Sequence, residues 1–222
     1  MGIVQLLPLP LKGPMIRFRE QAKQNQMKKR SPDTRLMNKA VHYLGRYASS
    51  RHKLAEVLGR FAQRKLLDDD PDEVKTSIAN IVKHCVDLGY LDDEQFAQNQ
   101  ARSQRRLGRS SRVIHQRLRQ HKLDQDTIDT ALAIADQDTP NGDLLAAFLF
   151  ARRRRLGPFD KRGPTPATHN SNDLQRHRQR QLAALARAGF SMNISQKIIG
   201  VEDNDAAEAI IAQLENGEQP FW

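Results

Sequence analysis

Charge along this chain changes sign in blocks, and that alternation sets the organisation any fold must satisfy. Residues 36–66 carry seven Lys/Arg against one Glu, and 67–99 carry two Lys against nine Asp/Glu. Residues 100–122 hold eight Lys/Arg and no acid, and 123–145 hold six Asp and no base. Residues 146–190 then hold ten bases against two acids, and 191–222 one base against six acids. Three basic-then-acidic units in succession read as an internal repeat, and repeats of this length are stacked supersecondary units. A net charge of +10 is weak evidence for a partner on its own. A basic stretch recurring in every unit can build a stripe, and a stripe is the footprint of a polyanion binder.

The units read as helical. Only 38% of the residues are hydrophobic and 5% aromatic, while 28% are charged. That balance suits an elongated helical protein with much surface better than a barrel or sandwich. A single cysteine, Cys85, excludes an intramolecular disulfide and fits a reducing compartment; its apolar neighbours Ile81 and Val82 make it a small core residue. The N-terminal run from Met1 to Leu11 is short, broken by Pro8 and Pro10, and has no charged stretch before it. It reads as neither a signal peptide nor a membrane span. With the basic segment that follows, including Lys28-Lys29-Arg30, it forms an expected leader over residues 1–35, with Met15 and Met27 as internal starts. A cytoplasmic, non-membrane protein is expected.

Each unit divides into three helices. In the first, spanning 36–91, Met37, Val41, Leu44 and Ala48 recur at helical spacing, and Ser49-Ser50 offers a cap for a helix carrying Leu54, Val57, Leu58 and Phe61. Asp68-Asp69-Asp70-Pro71 starts a third helix with Val74, Ile78, Ile81, Val82, Cys85 and Leu88, and Gly89 stops it. The second unit, 92–139, opens at Asp92-Asp93. It predicts helices flanked by Phe96 and Leu107, then carrying Val113, Ile114 and Leu118 after Ser110 or Ser111, then Ile128, Leu132 and Ile134 after Asp124 or Asp126. The third, 140–215, runs from Asp143 through Leu145, Phe148, Leu149 and Leu156 to Gly157-Pro158. Leu182, Leu185 and Ala186 mark its second helix, and Ile194, Ile198 and Ile199 its third, after Ser191. Residues 160–173 are rich in Pro, Gly, Asn and Thr without apolar periodicity, and read as an inserted loop.

At about 100° per residue the arginines can be placed against these apolar stripes. Arg102, Arg105 and Arg109 fall opposite Phe96 and Leu107, Arg112 and Arg119 opposite Ile114 and Leu118, and Arg176, Arg180 and Arg187 opposite Leu182 and Leu185. The run Arg152-Arg153-Arg154-Arg155 wraps a whole circumference. Solvated faces usually alternate their charges, yet residues 100–122 hold no acid. Unrelieved like charge destabilises a helix by a few tenths of a kcal/mol per pair, so a compensating partner is expected, and phosphate is the natural one. Arg102, Arg105, Arg109, Arg112, Arg119, Arg154, Arg180 and Arg187 are therefore the candidate DNA or filament contacts. No stacking aromatic lies within the basic helices, and nothing specifies sequence readout.

Several stretches, in order, resemble one family, the RecX regulators of the bacterial recombinase RecA. Gly89-Tyr90-Leu91-Asp92-Asp93-Glu94-Gln95-Phe96-Ala97 is similar to its signature between first and second units. Arg106-Leu107-Gly108, with Arg112-Val113-Ile114 and Leu118-Arg119, resembles the helix pair that follows. Arg153 to Phe159, then Arg180 to Ser191, resemble the third unit. The resemblance runs from about residue 36 to residue 200 and implies an all-α, elongated, curved array of tandem three-helix repeats, about nine helices in three units. It also implies a non-enzymatic regulator; from the residues themselves a monomer without cofactor or metal is expected. Such a protein lodges in the groove of the RecA–single-stranded-DNA filament, with double-stranded DNA as a second ligand, and limits ATP hydrolysis, strand exchange, filament extension and coprotease activity.

Three rivals remain from the residues alone. Asp92, Asp93 and Glu94 could seat Mg²⁺ in a nuclease, although acids there also cap a helix. The histidines show no metal-ligand spacing, and no glycine-rich phosphate loop is present. Residues 109–121 could serve as a recognition helix with Gln116 and Gln120 as base readers, but no dimer seam accompanies it. A scaffold whose charge blocks pair between units would bind proteins only.

Overall fold

The computed structural model describes residues 31–139, 141–161 and 171–220. Most of the expected leader and residues 162–170 of the expected insertion lie outside the described residues. Within the described residues the chain is all-helical, with ten α-helices, one 3-10 turn and no strand. They are α1 (Pro32–Leu44), α2 (Arg51–Lys65), α3 (Pro71–Asp87), α4 (Asp93–Arg106), α5 (Ser111–Gln120) and α6 (Gln125–Ala135). After these come α7 (Gly142–Arg154), the 3-10 turn Gly157–Phe159, α8 (Ser171–Arg187), α9 (Met192–Gly200) and α10 (Asn204–Glu215).

Capping chemistry decides where most of these helices begin. Ser31, Ser50, Asp70, Asp92, Ser110, Asp124, Ser191 and Asp203 each accept a backbone N–H from the first turn of the helix they precede. Such a cap contributes about 1 kcal/mol. Ser31 and Pro32 start α1 four residues before the Leu36 expected from the periodicity, and α1 ends at Leu44, ahead of Gly45 rather than at Ala48. Helix α8 begins at Ser171, inside the stretch read as an insertion.

Three apolar clusters fill the array. Leu36, Leu54, Leu58, Ile81 and Cys85 centre the first, all from α1–α3. Phe96, Ala97, Ala101, Ile114, Leu118 and Ile128 centre the second, from α4–α6. Phe148, Leu185, Ile198, Ile211 and Leu214 centre the third, from α7–α10 and the turn between. Cys85 is fully buried, and burial pushes its thiol above its ordinary value. Beyond the apolar spacing that ends at Ile199, α10 adds Ala207, Ile211 and Leu214 to the last cluster and packs on α7.

Neighbouring repeats meet through the same joint twice. At the first junction Arg51, at the start of α2, donates its backbone N–H to Asp93 Oδ1 at the start of α4, 2.9 Å away. Ser50, fully buried, places its Oγ 3.2 Å from His121 Nδ1 at the end of α5. At the second, Ser111 at the start of α5 donates its N–H to Asp143 Oδ1 at the start of α7, 2.7 Å away. Ser110 Oγ donates to the Ala188 carbonyl at the end of α8, 2.8 Å away. In both, a first-turn aspartate of the next repeat meets the positive end of the preceding repeat's second helix, the arrangement a helix dipole favours. The turn after the following repeat's second helix is left-handed each time, at Lys122 (φ 57) after α5 and at Gly189 (φ 91) after α8. Glycine is required at the latter, because a Cβ on Gly189 would overlap Ser110 Oγ.

His121 makes the first junction sensitive to acid. Ser50 Oγ accepts from the Lys53 N–H, leaving its own proton for His121 Nδ1, and the Phe96 ring packs edge-on at 4.8 Å between centroids. Burial first, then the nearby charges of Lys53 and His52, hold His121 below its ordinary value of 6.5, against smaller opposing pulls from Asp93 and Glu56. The unfolded chain therefore takes up this proton before the folded one does. The stabilisation is complete above pH 6.5 and is lost as pH falls below it. Thermal unfolding at about pH 7.5 and about pH 5.5 should show a smaller acid-induced fall in Tm for His121→Asn than for the wild type. Equal falls would place the acid sensitivity elsewhere.

Candidate nucleic-acid interface

The basic blocks divide into arginines consumed by the fold and arginines left to solvent. Arg105 belongs to the first group, which corrects its reading as a DNA or filament contact. Its side chain is only 10% exposed. Nε and Nη2 grip Asp136 Oδ1 and Oδ2 at 2.8 and 2.6 Å, and Nη1 reaches Asp143 Oδ1 at 2.6 Å. Nη1 also donates to the Arg109 carbonyl at 3.0 Å, and Nη2 to Ser111 Oγ at 2.6 Å. A guanidinium has five N–H donors, and five bonds use them all. Burial works against this charge, but Asp136 and Asp143 outweigh it and hold the guanidinium above its ordinary value. Arg105 therefore locks repeat two to repeat three and has no donor left for a phosphate. A helical wheel drawn on one repeat's core could not reveal this, because the acids come from the following block.

The other candidates are placed differently. Arg109 is half-buried beside this clasp, with its Nε enclosed and unpartnered among the described residues. Arg102, Arg112, Arg119, Arg154, Arg180 and Arg187 are all exposed. Of these, Arg119 donates to Gln125 Oε1 at 2.7 Å, and Arg187 Nε to its own helix at the Ala183 carbonyl, 3.1 Å away. Arg112 and Arg119 are seven residues apart on α5, and Arg180 and Arg187 seven apart on α8, so each pair shares a face of its helix. These are the second helices of consecutive repeats, the same helices whose N-termini or C-termini form the junctions. Helix α5 contains no acid at all.

Two further cations join this set. Arg106 is exposed and, with Arg102, lines a groove of about 640 Å³ floored by Ile134, Leu145 and Leu149 and edged by Glu215. Arg117 is exposed on α5. Arg153 is partly spent: it donates to the Leu107 carbonyl at 2.7 Å and lies 5.9 Å above the Phe150 ring. Two of the three acids that could seat a metal, Asp92 and Asp93, have structural partners. Asp92 caps α4 through the Gln95 N–H, and Asp93 receives Arg51.

This division predicts a sharp contrast in stability. Arg105→Ala strands two carboxylates at the junction and should cost about 2–3 kcal/mol. Arg112→Ala or Arg180→Ala, on open surface, should stay within about 0.5 kcal/mol of the wild type. Urea unfolding monitored by circular dichroism measures both; equal effects would contradict the assignment of Arg105 to the fold.

Comparison with known proteins agrees with this architecture. Residues 92–132, which make up α4 to most of α6, match the family described as RecX, second three-helix domain. A regulatory protein RecX of Myxococcus xanthus (strain DK1622) is 40% identical over 168 residues, covering 75% of this chain and 84% of that protein. A regulatory protein RecX of Agrobacterium fabrum is 28% identical over 173 residues, covering 78% and 86%. Among solved structures, a crystal structure of regulatory protein RecX superposes with a TM-score of 0.57 at 19% identity, covering 84% of this chain and 79% of that one. RecX from Lactobacillus salivarius gives 0.51 at 19% identity, covering 76% and 94%. The structural likeness speaks for the shared helical fold, and the sequence identity carried across three-quarters of the length speaks for descent: the chain belongs to the RecX family of regulatory proteins.

Proposed function

We propose that this protein regulates the RecA recombinase by binding along the RecA–single-stranded-DNA filament, where it restrains ATP hydrolysis, strand exchange, filament extension and coprotease activity. The observation that carries the reading is the set of exposed arginines on α5 and α8, held at fixed separation by the repeat junctions. Arg112, Arg119, Arg180 and Arg187 meet phosphate through their guanidinium forks, and Arg102 and Arg154 extend the contact on the first helices of repeats two and three. Phosphate contacts release counterions and carry no sequence information, so binding is sequence-independent and weakens steeply with salt. The second helices supply contact, while Arg105, Asp136 and Asp143 supply the spacing. No step of this action needs a cofactor or chemistry by the chain itself.

The test uses preformed RecA filaments on single-stranded DNA. Wild-type protein, added well below one copy per RecA, should suppress ATP hydrolysis. Reversal of four arginines (Arg112→Glu, Arg119→Glu, Arg180→Glu, Arg187→Glu) should remove that suppression while helicity and unfolding midpoint stay near wild type. Suppression only once the DNA is saturated with protein would instead mark a general DNA competitor. A reversed variant that suppresses as well as wild type would refute the arginine assignment.

A further inference from the structure

The three tyrosines of the chain, Tyr43, Tyr47 and Tyr90, all fall in the first repeat. Two leave their rings largely in solvent: Tyr47 is 58% exposed and Tyr90 57%. A lone exposed ring is ordinary, so exposure alone assigns nothing. What separates these two is their surroundings. Tyr90 lies in an acidic stretch, between Asp87 and the run Asp92-Asp93-Glu94. Tyr47 lies in a stretch with no acid from Thr34 to Ala55, directly after Arg46 and shortly before Arg51, His52 and Lys53.

Tyr47 is also held in place. Its backbone N–H donates to the Tyr43 carbonyl at 3.0 Å, which continues the pitch of α1 past its last turn. Its ring centroid lies 5.2 Å from that of Tyr43, with the planes tilted by 38°. Tyr43 is half-buried and packs against the first core, so one ring anchors the other. Arg46 is exposed, and its guanidinium has no ion-pair or hydrogen-bond partner among the described residues. A fixed, exposed aromatic ring next in sequence to an exposed arginine is a combination suited to single strands: the ring can stack on an unpaired base and the cation can take a nearby phosphate. A duplex offers no such base, because its faces are already stacked.

We propose that Tyr47, braced by Tyr43, is a stacking platform for an unpaired base of single-stranded DNA, with Arg46 on the neighbouring phosphate. This rests on the reading that the chain binds DNA, and it adds a single-strand preference that the arginine faces of α5 and α8 cannot supply.

Fluorescence anisotropy with a labelled oligothymidylate and with a duplex of equal length, at one fixed low salt, tests it on the full chain. Tyr47→Ala should weaken oligothymidylate binding about tenfold and leave duplex binding unchanged. Tyr47→Phe, which keeps the ring, should bind as wild type, and so should Tyr90→Ala. Unchanged oligothymidylate binding by Tyr47→Ala overturns the proposal, as does an equal loss on both DNAs. If Tyr47→Ala binds oligothymidylate normally but suppresses filament ATP hydrolysis poorly, the ring meets protein instead, and the proposal fails. Failure of the wild type to bind either DNA sinks the proposed function together with this inference, whereas an indifferent Tyr47→Ala in a DNA-binding wild type sinks the tyrosine alone.

Discussion

The architecture depends on one repeated contact, an aspartate in the first turn of a repeat accepting the leading backbone N–H of the preceding repeat's second helix. Asp93 does this for α2 and Asp143 for α5. Each contact joins an anionic side chain to the positive end of a helix dipole, so it stabilises the capped helix and fixes the neighbour's position at once. A buried serine beside it completes the joint, Ser50 against His121 and Ser110 against the Ala188 carbonyl. Each repeat's core is small and closes within its own three or four helices. The separation between cores is then set by these few polar contacts rather than by a continuous apolar interior.

Charge alternation takes on a more exact meaning in this light. Part of it is internal: acids of one block meet bases of the block before, as in Arg51 with Asp93 and Arg105 with Asp136 and Asp143. Arg152 with Glu208 extends the pattern to the terminal helix. Pairing between units, as the scaffold reading has it, describes Arg51 with Asp93 and Arg105 with Asp143, whereas Arg105 with Asp136 and Arg152 with Glu208 pair within one unit. It does not describe Arg112, Arg180 or Arg154, which are exposed and have no acidic partner among the described residues. Inter-repeat pairing and a free basic surface coexist, and the second is what the proposed filament contact uses.

Much of this was legible in the sequence because it is local. Helix starts follow from Ser50, Asp70, Asp92, Ser110, Asp124 and Ser191, whose side chains bond the turn they precede, and core membership follows from apolar spacing at Leu54, Leu58, Ile114 and Leu118. What escaped is non-local. Asp92 and Asp93 look alike in sequence, yet Asp92 caps its own helix and Asp93 serves its neighbour's. Arg105 sits on the polar side of its own helix but is met there by Asp136, from the end of its own repeat, and Asp143, from the next, so its wheel position misleads. Helix α10 carried its signal in Ala207, Ile211 and Leu214, but a three-helix template left it without a role.

The central claim is that spacing between repeats, as well as positive charge, makes the protein a filament regulator. Asp143→Asn separates the two, since it removes the junction anion while raising the net positive charge by one. RecA-filament ATP hydrolysis, titrated with wild type and Asp143→Asn below one copy per RecA, measures the difference. The account predicts weaker suppression by Asp143→Asn despite its added charge, with oligonucleotide affinity retained. Suppression equal to or stronger than wild type would contradict it and leave charge alone as the determinant.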